Sequence, residues 1–418
     1  MLLPIANSPR PYAWGSQGQI STLLGLTPTG DAEAELWLGA HPGSPSVILD
    51  PARAGGAADL AAWFASAPEQ ALAGEGDSPL LRDVVSGQPR MPYLLKVLAA
   101  GAPLSIQAHP TMAQAIAGFQ REAAAGVPID AGHRNYKDAY HKPEMIVAVS
   151  ETFDALSGLR DPGESRALLD LLAERLSDFA RVSTAASYAG LQAGADLAPI
   201  LGKVLRMQGS DEAASLVAAL AEAAAGILAD GDPGRWRLEL ETIVDLAERY
   251  PGDAGVLVAM LLNRVRLRAG EALYLGAGNL HAYLSGLGIE LMASSDNVLR
   301  GGLTPKHIDV PELLAVADPS PVPVPMLTPE PLADNAVVFA PPVADFRLVQ
   351  ITGPVDGLEV DLAGGPGIAL IIDGAFQITG ASESGDYHRG EALYATPSEG
   401  ALRVTGDGAM VVATLGRS

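Results

Sequence analysis

The feature that most constrains this chain is a change of hydrophobic period partway along it. From Glu164 to Tyr250 apolar residues recur at three- and four-residue spacing, as in helices that bury one face. Before Pro162 and after Gly255 the chain breaks into short apolar runs punctuated by Gly and Pro, which read as strands and turns. A helical block set between two strand-like stretches reads as an insert. Inside it the spacing predicts helices over 164–180, 211–228 and 235–249. Ser210 is placed to cap the second, and Pro233 and Pro251 bracket the third.

Outside the insert, strands are predicted over 31–40, 93–100, 104–107 and 144–150, and helices over 60–64 and 112–125. The phrase Gly-Glu-Ala-Leu-Tyr occurs twice, at Gly270–Tyr274 and Gly390–Tyr394. So wide a repeat suggests two copies of one barrel rather than a solenoid. The Pro-rich span 311–331 reads as a linker or extended edge. Six short alternating runs follow between Ala336 and Thr414, which fits a small sandwich or barrel. With 46 Gly and 32 Pro in 418 residues, turns are plentiful, and the length asks for more than one domain.

A net charge of −22 makes nucleic acid and anionic membrane poor partners. A small anionic substrate needs only a few local cations, so it stays open. Cysteine is absent, which removes disulfides and thiolate metal sites. Residues 1–10 do not resemble a signal peptide, and no uninterrupted apolar run has the length of a membrane span. A soluble, cytoplasmic, monomeric protein is the expectation.

The seven histidines carry most of the chemical information. Gln107 and His109 are two apart, so on a strand both face one way. His141 precedes a predicted strand that Glu144 begins, with Pro143 fixing the backbone between them. His281 lies in Gly278-Asn-Leu-His-Ala-Tyr, and Tyr283 shares its face. The stretch Ser294–Lys306 combines Asp296, Arg300 and Lys306 with paired glycines, a composition suited to an anion. Taken singly, each phrase also fits a satisfied core residue or a charged loop. Together they offer two His, one Glu and a neutral oxygen donor, a set that suits Zn²⁺ and other first-row divalent ions.

The phrases Ala34–Pro42, Pro103–Pro110, Tyr136–Met145, Gly278–Leu284 and Ala293–Lys306 together resemble the type I phosphomannose isomerases over nearly the whole chain. That resemblance implies a mostly β architecture: two cupin-type β-barrel or jelly-roll domains with an α-helical insert. The boundaries would be 1–160 plus 255–320 for the catalytic barrel, 161–254 for the insert and 321–418 for the second barrel. It implies one zinc ion on Gln107, His109, Glu144 and His281, and a small sugar phosphate as substrate. Arg300 would be the catalytic arginine, with Lys142 and His141 beside the metal. Ser105, Lys306, Tyr283 and Asp296 would face the substrate and its phosphate, Asp296 by holding Arg300. Glu290 and His141 both remain candidates for the base that moves a proton between C1 and C2. A non-catalytic sugar binder and a metal oxygenase are the rival classes, and paired cations beside a metal argue against the first. Tyr140 stands where the family often has Asn, which touches no implied ligand.

Overall fold

The computed structural model describes residues 1–72 and 79–417. Its strands form two large sheets, and the chain threads both. The nine-stranded sheet is organised around the long strand His281–Ala293. That strand pairs antiparallel with Tyr93–Ala100, Ile106–Ala108, Glu144–Ala148 and Thr152–Leu159. It serves so many partners because it bends. The register shifts between Tyr283 and Ser285, and Gly286 follows at φ 123°. A Cβ on Gly286 would come within 2.8 Å of the Phe153 ring, so only glycine lets the strand turn there.

The ten-stranded sheet runs from Glu330–Ala333 to Val47–Ile48. Its centre is the pair Gly367–Thr379 and Ala401–Thr414. The N-terminal strand Leu2–Ala6 belongs here, paired with Ala392–Ala395. The two sheets share apolar packing: Leu36, Leu95, Val97 and Ile289 of the first join Leu348, Ile368, Leu370 and Val411 of the second in one core. Tyr93 donates from this core to the carbonyl of Pro366 at 2.6 Å.

The expectation of a mostly β protein built from two cupin-type barrels does not hold. Closure requires the first and last strands of a sheet to bond one another. Here Glu330–Ala333 and Val47–Ile48 end one sheet, and Leu262–Arg268 and Glu35–Leu38 end the other, without joining. The fold is mixed α/β with large open sheets. Alternation and turn spacing identify strands, but they carry no information on whether a sheet closes.

The insert is helical, as its period predicts. Asp211–Ala229 is capped by Ser210, whose side chain accepts from Ala213 N at 3.1 Å. Arg237–Arg249 follows a single 3₁₀ turn. The helix expected over 164–180 is instead two, Pro162–Ala173 and Asp178–Ser187. Ser177 caps the second and so breaks the run. By length and composition Asp211–Ala229 could cross a bilayer, but Leu216, Val217, Leu220 and Ile227 are buried in the insert. This core continues into the first sheet through Ile106, Leu156, Ala282 and Leu299.

The Pro-rich span is partly helical, Val310–Val316, and then runs extended along the first sheet, bridging at Pro321 and Met326. The repeated phrase folds alike in both sheets. Gly270 and Gly390 take φ of 85° and 86°. Glu271 and Glu391 each fold back to accept a backbone N–H three residues earlier, at 2.8 and 2.7 Å. The five shared residues encode one turn-and-strand unit, used once per sheet.

Candidate active site

His109, Glu144 and His281 arrive from three strands or strand ends and meet in the first sheet, with ligand atoms within 4.8 Å of one another. All three are essentially fully buried. Each imidazole has one nitrogen on a backbone carbonyl: His109 Nδ1 on Asn297 O at 2.8 Å and His281 Nδ1 on Asn279 O at 2.9 Å. A carbonyl only accepts, so Nδ1 carries the proton and Nε2 presents a lone pair. Those Nε2 atoms face Glu144 at 3.4 and 3.3 Å. Neither has a hydrogen-bond partner, and Glu144 Oε2 has none either. Two lone pairs aimed at a buried carboxylate are mutually repulsive unless a cation sits among them. The residues therefore fit a borderline divalent ion such as zinc.

The electrostatics agree. Burial, with Lys142 nearby, pushes His109 down to about 4, so it is neutral at pH 7 as a ligand must be. Burial pushes the Glu144 carboxyl up, but Lys142 and the imidazoles outweigh it and hold it well below the carboxylate range. Lys142 Nζ lies 2.6 Å from Glu144 Oε1.

Beside this cluster the sheet carries a row of buried charge. Lys96 sits opposite Glu290 on one neighbour and Trp37 on the other, so the three share a face. Its Nζ is 3.1 Å from Glu35 and 3.0 Å from Glu290, and 5.0 Å from the Trp37 ring centroid. Burial works against the ammonium, but Glu290, Glu35 and Glu144 hold it protonated. For Glu290, burial first and then Glu144 and Glu35 push the carboxyl up against the pull of Lys96. Neither Lys96 nor Glu35 is singled out by the sequence motifs. The available signal was a lone lysine inside the apolar run Tyr93–Ala100, whereas Glu35 had Asp31 and Glu33 close by in sequence.

The other expected residues divide. Gln107 lies between His281 and Arg300 in register, which puts the three on one face. Ser105 is half-buried just before that strand. Tyr283 is buried, tilted against His281 at 6.3 Å between ring centroids. Lys306 is exposed, and its charge is disfavoured by burial and then by Arg300 and Lys137. Among the described residues no acid pairs with Arg300, Lys137 or Lys306. Two residues point elsewhere. His141 Nε2 meets Asp345, in the bend before the second-sheet strand Arg347–Thr352, at 3.0 Å, and Asp296 meets His41 at 3.3 Å rather than Arg300. A cavity of about 580 Å³ is lined by His41, Asp296, Lys137, Arg90, Tyr140 and Phe64, and none of His109, Glu144 and His281 lines it. Tyr140 forms part of its wall. Its hydroxyl lies 2.6 Å from Asp83 Oδ2, and Arg90 lies over its ring at 3.5 Å.

With this geometry in view, residues 2–162 match the family model for the phosphomannose isomerase type I catalytic domain. Mannose-6-phosphate isomerase of Salmonella typhimurium is 38% identical over 347 residues, covering 82% of this chain and 81% of that one. The Escherichia coli enzyme of the same name is 35% identical over 422 residues, covering 97% of each chain. A crystal structure of zinc-bound mannose 6-phosphate isomerase superposes with TM-score 0.81 at 31% identity, over 100% of both chains. The apo form from Salmonella typhimurium gives TM-score 0.81 at 30% identity, over 100% of this chain and 99% of that one.

Proposed function

The chain belongs to the type I phosphomannose isomerases, and from that premise we propose that it interconverts D-mannose 6-phosphate and D-fructose 6-phosphate through a cis-enediol, with one zinc ion. The observation that carries the metal is the pair of proton-free Nε2 atoms aimed at Glu144. Gln107, His109, Glu144 and His281 hold the ion. When bound it supplies Lewis acidity toward a sugar oxygen.

The chain's own residues do the rest. Glu290 takes the proton at C2 or C1. Its raised affinity for a proton suits a base that must accept one and give it back. Lys96 holds Glu290 in place and keeps enough negative charge on it to act. His141 is the weaker candidate because Asp345 already occupies its Nε2. Lys142, buried on Glu144, moves a proton between the sugar oxygens. Arg300 stabilises the enediolate through its planar fork. Lys306 and Lys137 form the cationic mouth that takes the phosphate, and Ser105, just before the strand that pairs with Leu299–Gly302, supplies a hydroxyl to it. Tyr283 closes the inner wall over the metal ligands and excludes water.

The test is to measure metal content of the purified protein, then follow fructose 6-phosphate conversion with and without a chelator. About one zinc per chain is expected, with activity lost on chelation and restored by zinc. Full activity after complete metal removal would refute the zinc reading while leaving the family intact.

A further inference from the structure

We propose that Asp253, where the helical insert returns to the first sheet, is a positioning residue that sets the loop Gly301–Lys306 and so governs how tightly the enzyme holds the phosphate of its substrate. This rests on the reading of Lys306 as a phosphate cation.

Three independent observations meet at this junction. The first is an unusual carboxylate. Asp253 is 8% exposed, and among the described residues no cation pairs with it. Its oxygens serve backbone instead: Oδ1 accepts from Gly255 N at 2.7 Å and Leu303 N at 3.0 Å, and Oδ2 from Thr304 N at 3.4 Å. A buried carboxylate held by N–H groups alone is costly to place, and two of those groups belong to the loop.

The second is the backbone of Leu303, at φ 56°. Left-handed conformation is disfavoured for a residue with a Cβ, so the surroundings must hold it. Asp253 grips its N–H, and the insert's core buries its side chain, 2% exposed. The third is a backbone contact without side chains between. A Cβ on Gly302 would lie 2.3 Å from Gly255 Cα, and one on Gly255 would lie 2.6 Å from Leu303 N. Glycine at both positions lets insert and loop touch directly.

The consequence reaches the substrate side by a short route. Arg300 precedes the two glycines. Thr304, held by Asp253, accepts from Lys306 N at 3.1 Å through its hydroxyl. Arg300 and Lys137 both repel Lys306, so a loose loop would let Lys306 move away from them. Asp253 fixes the loop from below, where it can hold the cations together before the phosphate arrives. The helical insert then acts as an abutment for the phosphate loop.

The experiment compares Asp253→Asn, Gly255→Ala and Lys306→Ala with wild type, using the Michaelis constant for fructose 6-phosphate and competitive inhibition by inorganic phosphate. Leu220→Ala, which removes buried packing in Asp211–Ala229 far along the insert, controls for destabilisation alone. Losing one charge-assisted grip should weaken phosphate by about tenfold. Asp253→Asn and Gly255→Ala should therefore raise both constants by about that factor with a smaller change in turnover. Leu220→Ala should lower the melting temperature and leave both constants unchanged. Phosphate inhibition within about twofold of wild type in both folded Asp253→Asn and Gly255→Ala, with Lys306→Ala raised by about tenfold, overturns the inference and spares the phosphate site. An unchanged constant in Lys306→Ala overturns the phosphate site and the inference with it. If only one of the two junction variants folds, its constants decide.

Discussion

Replacing Lys96 by Met separates the charge row from its packing. The methionine fills nearly the same space but leaves Glu35 and Glu290 without the ammonium that lies 3.1 and 3.0 Å from them. Both carboxylates are buried, at 9% and 4% side-chain exposure. Removing one partner of a buried pair costs about 3–5 kcal/mol, because the other charge is stranded. The protein can recover part of this by protonating a carboxylate, and Glu290, already pushed upward by burial, is the one to do so. A carboxyl whose folded-state value is raised binds its proton more tightly folded than unfolded. Its favourable contribution is complete at low pH and lost as pH rises through the raised value. The penalty of Lys96→Met should therefore be largest in neutral and alkaline solution and shrink on acidification. Denaturant unfolding of variant and wild type in neutral and mildly acidic buffer measures it. Turnover at neutral pH should fall by about a hundredfold or more, since a protonated Glu290 cannot act as base. A penalty that stays the same across that pH range would refute the shared-ammonium argument.

His281→Ala should lose zinc and activity together, and full zinc occupancy in the purified variant would exclude His281 as a ligand. Arg300→Ala should lower turnover by about a hundredfold and keep its zinc, because a guanidinium offers no lone pair. Arg300→Lys should recover little, and turnover within about threefold of wild type, far short of that loss, would move Arg300 out of the catalytic role. Asp154 is pushed up by burial, but Arg266 and Arg264 hold it down to about 2 from an ordinary 3.8. Asp154→Asn should cost about 2 kcal/mol at neutral pH. That cost should fade as pH drops from the unfolded value through the folded one, and a pH-independent difference in unfolding free energy would contradict the ion-pair account.

Much of the fold was legible where one local rule dominated. The helices at 211–229 and 237–249 follow from period and cap, and the repeated Gly-Glu-Ala-Leu-Tyr folds alike because the turn needs a glycine at positive φ and a glutamate that reaches back. Closure of the sheets was not legible, and the barrel expectation failed for that reason. Whether edge strands meet depends on twist and stagger summed over a whole sheet, and no residue encodes that sum. The pairing of Leu2–Ala6 with Ala392–Ala395 is equally non-local.

The site shows the same division at the scale of single side chains. His109, Glu144 and His281 were legible because polar residues beside apolar runs must find partners. His141 and Lys142 are neighbours, and along extended chain neighbours point to opposite sides. Lys142 reaches Glu144 while His141 reaches Asp345, so the two residues expected together part to different partners. Glu290 illustrates the reverse. It is nine positions from His281, an odd number, so strict alternation places the two on opposite faces. Yet Glu144 sits 3.3 Å from His281 and its charge also bears on Glu290. The irregularity at Tyr283–Ser285 and the turn at Gly286 resolve this by inserting one step into the count. The signal lies in Ser285-Gly286-Leu287-Gly288, glycine twice inside a strand, where it only weakens the pairing unless it bends it. The bulge is thus what brings Glu290 to the side of the sheet that carries His281 and Glu144, and parity along the strand reads correctly only once that bend is counted.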